Sequence, residues 1–348
     1  MRTGRFPIGV ALAVAGSIVC AAFTAASAPP TVRAGATKQG AAPSAARSSA
    51  ASSGARGAAV RAAQTQTSSA ATSGTPSAAG LDAMDWPQAV EAAVTVSGVP
   101  GIATHAITTH GATGPVPIAS IAKIMTAYVI LTDHPLSGSS QGPTIKVTAD
   151  DADAYAADLA AGGSVVEVRA GERLTERQAI EGMLLQSANN VAVLLADWDS
   201  GSVSRFLGRM NTAASRLGLG STHYADPAGF DQHTVSTAAD QVRLAVAALG
   251  LPVFASIVAL PSAVLPVAGT VVNYDTMLGV DGIVGVKTGY THAAGGTMVV
   301  AARTTVHGDQ VLIVGAVLGV PGTDTTTFGR TLDAGDQVVV GAEHWLGD

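Results

Sequence analysis

The chain has 348 residues, of which 47% are hydrophobic and 13% charged, and its formal net charge is −6 at pH 7. This apolar content is enough for a sizeable core in one large domain or two small ones. The negative charge argues against nucleic acid as the main partner.

The N-terminus has the pattern of an export signal. Arg2 and Arg5 precede an uncharged, mostly apolar run from residue 8 to residue 28, which ends in Ala-Ser-Ala. The pattern predicts a signal peptide over residues 1–28. Because the run is also long enough to span a bilayer, residues 8–28 could instead remain as a membrane anchor. In both cases we expect the rest of the chain to be exported.

The single cysteine, Cys20, lies inside this apolar run. The exported part of the chain is therefore expected to have no disulfide, no thiol nucleophile and no cysteine-based metal site. The sequence indicates no cofactor.

Residues 29–80 consist mainly of Ala, Ser, Gly, Thr and Pro with scattered basic residues, and the first acid is Asp82. This composition predicts a disordered, cationic linker. It would serve as a spacer, or it could be attracted loosely to anionic envelope polymers. Residues 81–348 have the composition of one globular domain.

The first half of this domain alternates strand and helix signals. Residues 89–97 could form a first strand, and residues 120–131 read as an apolar helix that opens at Ser120. A capping box at residues 175–178 predicts the start of another helix. The pattern remains helical over residues 191–198 and again over 206–217.

Three β-rich runs follow late in the chain, over residues 284–290, 297–305 and 310–318, and glycine-containing turns separate them. They predict an antiparallel meander. A closing helix is expected over residues 328–346. Strands at both ends with helices between them indicate an α+β fold, an antiparallel sheet flanked by helices with a helical subdomain.

Lysine is rare in this sequence, with four lysines against fifteen arginines, and two of the four lie in motifs that suggest catalysis. A desolvated lysine can lose its proton and act as a base, whereas arginine cannot. Ser120 and Lys123 are three residues apart, so their side chains share a helix face. On this motif alone, Ser120 could equally be a helix N-cap and Lys123 a surface residue.

Two further motifs could likewise have a catalytic or a structural role. Ser187-Ala-Asn189 interrupts an apolar helical pattern, and by itself it is typical of an ordinary turn between helices. Lys287-Thr-Gly289 lies in a strand-like run whose glycine suggests the close approach of a ligand or another backbone. An exposed edge strand would explain the rare lysine poorly.

Taken together and in this order, the three motifs resemble those of the penicillin-binding-protein and serine β-lactamase superfamily. The closer resemblance is to the low-molecular-weight D-alanyl-D-alanine carboxypeptidases, peptidase family S11. It also includes Asp226-Pro-Ala-Gly229, Ser236-Thr-Ala-Ala-Asp240 and Gly279-Val-Asp-Gly282, and it extends over roughly residues 89–319. The resemblance implies a DD-peptidase/β-lactamase-like transpeptidase fold.

The resemblance also implies a mechanism. Ser120 would attack the carbonyl between the two terminal D-alanines of a peptidoglycan stem peptide and form an acyl-enzyme. Lys123, kept neutral by burial and by the nearby Lys287 cation, would be the general base. Ser187 would relay the proton to the leaving amine. β-Lactams would act as covalent inhibitors by acylating the same serine.

Substrate binding would use further motif residues. Asn189 would hydrogen-bond the substrate amide and Lys123, while Lys287 and Thr288 would bind the terminal carboxylate, with Gly289 leaving room. The N–H groups of Ser120 and Tyr290 would form the oxyanion hole. No metal site is implied.

The sequence departs from the family pattern at several places. Residues 101–117 lack the usual acidic hairpin, and Ala188 stands where glycine is common. The chain ends soon after the late strands, so we expect no second β domain and no C-terminal anchor. Arg330 is the candidate for a carboxylate-binding arginine that relatives place after these strands.

Other functions remain open at this point. A class A β-lactamase needs a glutamate for deacylation, but no Glu-x-x-Leu-Asn occurs between residues 187 and 287. A D,D-endopeptidase or a non-catalytic wall-binding module would share the fold. Residues 138–142 match a Gly-x-Ser-x-Gly nucleophile elbow around Ser140, but they lie in a polar loop, which indicates coincidence. His223 and His233 lack metal-ligand spacing.

Overall fold

The structure is a computed structural model that describes residue 81 and residues 83–99, 106–323 and 326–347. The signal or anchor predicted for residues 1–28 and the linker predicted for residues 29–80 lie outside the described residues. The domain start at residue 81 therefore stays a prediction.

Eight helices and eleven strands are seen in the described part of the chain. The α-helices are α1 (Lys123–Asp133), α2 (Ala149–Ala160), α3 (Glu176–Leu185), α4 (Asn189–Ser200), α5 (Val203–Arg216), α6 (Ala238–Leu249), α7 (Pro252–Val258) and α8 (Thr326–Gly347). The strands are β1 (Glu91–Ser97), β2 (Ile107–Gly111), β3 (Val116–Pro117), β4 (Thr144–Lys146), β5 (Arg173–Thr175), β6 (Val235–Ser236), β7 (Ser262–Leu265), β8 (Gly269–Val272), β9 (Ile283–Thr291), β10 (Gly295–Val306) and β11 (Asp309–Val320). Two short 3₁₀ turns cover Ala119–Ala122 and Val280–Gly282.

The main sheet has five antiparallel strands in the order β2-β1-β11-β10-β9. Its centre is built from both ends of the domain, because β1 pairs with β11 in a register that places Glu91 opposite Leu318. The late strands form the meander that the sequence predicts. The other strands form three two-stranded pairs: β3 with β6, β4 with β5, and β7 with β8.

The sheet separates two hydrophobic cores. Along β10, Val299 and Ala301 pack into the larger core under the helical region, while Met298 and Val300 pack into the smaller core under α8. This alternation follows from the two-residue period of a strand, whose side chains point to opposite faces. An α+β fold with an antiparallel sheet between helical layers is confirmed.

Two local predictions are confirmed with their physical reasons. Thr175 Oγ accepts from the N–H of Gln178 at 3.2 Å, and Gln178 Oε1 accepts from the N–H of Thr175 at 3.0 Å, which is a complete capping box at the start of α3. The closing helix exists as α8. Its interior Gly335 leaves room for Met298, because a Cβ there would lie 2.5 Å from the Met298 sulfur and that side chain would have to shift.

In the described part of the chain, none of the helices alone has the length and apolarity of a membrane span. One sharply bent pair, α6 with α7, meets that test on length and composition only.

Candidate active site

Ser120 lies in a 3₁₀ turn that leads into α1. The helix itself begins at Lys123, and no side chain caps either segment, so the predicted helix start at Ser120 and its alternative role as an N-cap are wrong. The preceding residue, Ala119, has a φ of 48°, a left-handed conformation that is unfavourable for alanine. Strained backbone of this kind is often found at functional sites.

Lys123 is completely buried, with 0% of its surface exposed, so the alternative of a surface lysine is wrong. Its Nζ lies 2.9 Å from Ser120 Oγ, 2.8 Å from Asn189 Oδ1 and 2.8 Å from the carbonyl oxygen of Ala228. The last two atoms can only accept hydrogen bonds. A neutral amine, which has two donors and one lone pair, would therefore receive its hydrogen bond from the Ser120 hydroxyl.

The environment of Lys123 favours this neutral form. Burial lowers the pKa of Lys123 well below its ordinary value, and the Lys287 cation lowers it further. The carboxylates of Asp226 and Asp158 act in the opposite direction. Lys123 is thus placed and tuned to take a proton from Ser120.

Ser187 lies between α3 and α4, at the point where the sequence shows an interruption. It is buried and has a φ of 62°, again a left-handed conformation of a residue other than glycine. Two residues later, Asn189 opens α4, and its N–H donates to the carbonyl of Ser164 at 2.8 Å. The turn therefore holds Asn189 with its Oδ1 against Lys123, as expected.

The Lys-Thr-Gly motif lies on β9, at the edge of the main sheet. Lys287 and Thr288 are nevertheless buried, so this is not an exposed edge. A Cβ on Gly289 would lie 2.9 Å from the backbone nitrogen of Ser120 and 2.6 Å from Thr297 Oγ1. The space that glycine leaves here is thus occupied by the backbone of Ser120. The side chain of the neighbouring Tyr290 is exposed.

Lys287 was expected to be charged, but its environment also favours the neutral form. Burial lowers the pKa of Lys287 to about 7, and Asp275 opposes this effect. Near neutral pH both protonation states are populated. Its Nζ donates to the carbonyl of Thr288 at 2.9 Å.

The loop from Asp226 to Gly229 supplies a backbone acceptor for Lys123, which the sequence did not reveal. Ala228 accepts from Lys123, and a Cβ on Gly229 would collide with the carbonyl oxygen of Ala119. Asp226 fixes the loop, because Oδ2 accepts from the N–H of Phe230 at 2.8 Å. The stretch matched the family pattern, but a backbone carbonyl has no side-chain signature that would assign it a role.

Two other candidates have local hydrogen bonds. Arg330, on α8, donates to the side chains of Thr326 and Thr327, so its role in carboxylate binding stays a prediction. Ser140 lies in the loop between α1 and β4 and accepts from the N–H of Gly142, so it is not on a strand-turn-helix elbow.

The two histidines noted in the sequence have local structural contacts. His223 pairs through its backbone with Val235, and His233 contacts Asp231. Within the described ranges, no group of three or more His, Cys, Asp and Glu side chains could hold a metal ion.

A buried lysine amine against a serine hydroxyl, where a 3₁₀ turn packs on strand β9 of an antiparallel sheet, is the arrangement of a serine acyl-transfer enzyme of the penicillin-binding type. The family model described as D-alanyl-D-alanine carboxypeptidase, peptidase S11, matches residues 99–322. The chain belongs to this family of serine hydrolases.

Curated relatives agree with this assignment. D-alanyl-D-alanine carboxypeptidase DacB2 of Mycobacterium tuberculosis is 37% identical over 58% of this chain and 67% of the relative. A D-alanyl-D-alanine endopeptidase of Pseudomonas aeruginosa is 30% identical over 65% of this chain and 73% of the relative. The match to D-alanyl-D-alanine carboxypeptidase DacA of Escherichia coli, also at 30% identity, spans 58% of this chain but only 49% of that protein.

Solved structures share the fold. A variant of the Streptomyces K15 DD-transpeptidase is 26% identical, with a TM-score of 0.62, and the match covers 74% of this chain and 99% of that one. An evolved penicillin-binding protein homologue from Mycobacterium tuberculosis is 30% identical, with a TM-score of 0.57, and the match covers 73% of this chain and 93% of that one.

Proposed function

We propose that the protein removes the terminal D-alanine from peptidoglycan stem pentapeptides through an acyl-enzyme on Ser120. The observation that carries this proposal is the buried Lys123 Nζ, 2.9 Å from Ser120 Oγ, with two pure acceptors as its other partners. This arrangement supplies the nucleophile and its base in one hydrogen-bonded unit.

Acylation begins when Lys123 takes the Ser120 proton and Oγ attacks the carbonyl carbon between the two D-alanines. The N–H groups of Ser120 and Tyr290 stabilise the developing oxyanion, while Asn189 binds the substrate amide. Collapse of the tetrahedral intermediate breaks the C–N bond. Ser187 passes the proton to the leaving amine, and free D-alanine departs.

Specificity for a C-terminal residue comes from β9. Lys287 in its protonated form and the Thr288 hydroxyl bind the terminal carboxylate, since a charge-assisted hydrogen bond is stronger than a neutral one. Water then hydrolyses the serine ester and regenerates Ser120.

β-Lactams acylate Ser120 by the same route and leave a long-lived adduct. The sequence lacks the Glu-x-x-Leu-Asn motif with which class A β-lactamases activate the deacylating water. The test is labelling of the purified full chain with a fluorescent penicillin, with Ser120→Ala as the control. We expect a labelled wild type and an unlabelled variant, together with release of D-alanine from a synthetic pentapeptide by the wild type alone.

Each alternative predicts a different result. A non-catalytic wall-binding module would show no labelling and no D-alanine release, and a β-lactamase would lose the penicilloyl mass within minutes. A D,D-endopeptidase is the second candidate, since one relative with that name matches over 65% of this chain. Digestion of defined cross-linked muropeptides distinguishes it, because only an endopeptidase separates the two stem peptides.

The location follows from the substrate. We infer that the enzyme acts outside the cytoplasmic membrane, secreted after cleavage of residues 1–28 or attached through residues 8–28, with residues 29–80 as the linker. By removing pentapeptide donors for cross-linking it would influence cell shape. Mass spectrometry of the N-terminus of the exported protein distinguishes secretion from attachment.

A further inference from the structure

Asp275 is a buried carboxylate that the catalytic motifs do not include. Only 3% of its surface is exposed. Oδ1 accepts from the N–H of Met277 at 3.1 Å, whereas Oδ2 is buried and has no hydrogen-bond partner among the described residues. A buried carboxylate left partly unsatisfied needs a compensating charge or a functional reason.

The backbone around Asp275 contacts the segments that carry Lys287 and Ser187. Asn273 Nδ2 donates to the carbonyl of Val258 at 3.1 Å, and a Cβ on Gly285 of β9 would lie 3.1 Å from Val258 Cβ. Asn273 and Gly285 therefore both lie against Val258. Asp275 is two residues after Asn273, and Lys287 is two residues after Gly285. The intervening Tyr274 donates its N–H to the carbonyl of Leu185, two residues before Ser187.

The charges in this region act on one another in pairs. Asp275 raises the pKa of Lys287, and the Lys287 cation lowers the pKa of Asp275, although burial acts more strongly on both groups. The other titratable group coupled to Lys287 is Lys123, on α1, whose pKa the Lys287 cation lowers. Asp275 has no such effect on Lys123, whose acidic neighbours are Asp226 and Asp158.

The proposed reaction needs opposite protonation states in two buried lysines. Burial favours the neutral form of both, which suits Lys123 as a base but not Lys287 as a carboxylate ligand. We propose that Asp275 is a positioning residue that keeps Lys287 protonated, and therefore able to bind the substrate carboxylate, at a pH where Lys123 is neutral. This inference rests on the role proposed above for Lys287.

The first test compares Asp275→Asn with the wild type by kcat/KM for D-alanine release from pH 5 to pH 9. Loss of the anion should lower the pKa of Lys287 by about one unit or more. A one-unit shift lowers kcat/KM about fivefold at pH 7 and about tenfold at pH 8, with almost no loss at pH 5. The ratio of variant to wild type at each pH cancels the titrating groups that are not coupled to Lys287.

Two variants separate charge from packing. Asp275→Glu restores the anion and should recover most of the activity at pH 8. Glu91→Gln removes another buried carboxylate, on β1, and should leave the alkaline limb of the profile unchanged. A loss that is equal at every pH would show a structural role for Asp275 and overturn the proposal.

The second test measures Lys287 without catalysis. Because the chain has only four lysines, ¹³C-lysine labelling gives a simple spectrum, and Lys→Arg variants assign each ε-carbon. In Asp275→Asn the Lys287 ε-carbon should titrate at a lower pH than in the wild type, and an unchanged titration would overturn the proposal.

The two tests also distinguish the two proposals. A wild type that releases no D-alanine would contradict the proposed function, while the NMR titration would still decide whether Asp275 acts on Lys287. If Asp275→Asn does not fold, the wild-type spectrum decides. The Lys287 signal should then show an inflection that the Lys123 signal lacks, as the Asp275 carboxyl titrates, and its absence would count against the coupling.

Discussion

Lys123 and Lys287 have the same side chain, but the proposed reaction needs the first neutral and the second protonated. Lys123→Arg tests the first requirement, because arginine keeps the charge and cannot be deprotonated in a protein. We expect acylation by a fluorescent penicillin to slow at least about a hundredfold, the typical contribution of a general base. The matched control is Lys146→Arg at an exposed lysine, which should acylate at the wild-type rate. Equal acylation rates in the two variants would remove Lys123 from the mechanism.

Ser187 offers a test in which two variants differ in stability but lose activity equally. Its left-handed backbone costs about 1 kcal/mol or more in any residue except glycine. Ser187→Gly should therefore raise the free energy of unfolding by about 1 kcal/mol relative to Ser187→Ala. Both variants lose the hydroxyl and should release D-alanine about a hundredfold more slowly, as expected for loss of a proton-transfer group.

The measurements for this pair are urea denaturation and a D-alanine assay on the same preparations. If Ser187→Gly were no more stable than Ser187→Ala, the strain would be absent. If both variants retained full activity, Ser187 would not carry the proton.

The sequence was informative about side chains and uninformative about backbone in the site. Motif spacing and resemblance predict two partners of Lys123 Nζ, the side chains of Ser120 and Asn189. They do not predict the third partner, the carbonyl of Ala228, since every residue has a carbonyl and only tertiary structure selects one. The sequence does not reveal Asp275 for a related reason. Its effect on the pKa of Lys287 depends on burial in the fold rather than on a motif.

At the level of elements, the close contact between β9 and the turn of Ser120 depends on Gly289. A methyl group there would contact both Ser120 N and Thr297 Oγ1, so β9 would have to move away from the nucleophile. Gly289→Ala should cost about 1–3 kcal/mol of stability, as overpacking commonly does. It should also slow acylation at least about tenfold, since small displacements of reacting groups are costly.

The control for this change is Gly329→Ala on α8, where no atom lies within 4 Å of the new Cβ. Alanine in an open helical position should leave acylation unchanged and stability equal or slightly higher. Wild-type acylation by Gly289→Ala, measured with the same penicillin, would mean that β9 and the Ser120 turn can separate without consequence.

Elements with a strong local signal were predicted well, and those fixed by tertiary contacts were not. The capping box of α3 follows from residue types, and the meander of β9 to β11 follows from β-rich runs separated by glycine-containing turns. The sequence places the start of α1 one turn too early, because apolar periodicity continues through residues 119–122. In the structure these residues form a 3₁₀ turn, and Gly229 lies against the carbonyl of Ala119. Helix α2 was missed because it has no buried face to create a periodic pattern.

For the whole domain, the pairing of β1 with β11 joins residues more than 200 positions apart in the sequence. The sequence predicts strands over residues 89–97 and 310–318, but nothing in either segment predicts that they are neighbours, because strand pairing depends on how the intervening helices pack. One consequence is a buried acid at this seam. Glu91, on β1, is 1% exposed, and its Oε2 has no partner in the described part of the chain.

Glu91 makes the stability of the whole domain depend on pH. Burial raises the pKa of Glu91 to about 7, and the Asp240 carboxylate adds to this effect. The folded state therefore binds the proton more tightly than the unfolded state, whose carboxyl has an ordinary pKa near 4.5. The resulting stabilisation is complete below the unfolded pKa and is lost as the pH rises through about 7.

Glu91→Gln removes this dependence, because the amide stays neutral at every pH. The variant should match the wild type at pH 5 within about 1 kcal/mol and exceed it at pH 8.5 by about 1–3 kcal/mol, measured by urea denaturation. Glu167→Gln, at an exposed acid paired with Arg169, should differ from the wild type by less than about 0.5 kcal/mol at both pH values. Taking differences between variant and wild type cancels the titrating groups that are not coupled to Glu91, such as the buried Glu176. A Glu91→Gln difference that is the same at both pH values would mean that the Glu91 carboxyl does not change its protonation on folding.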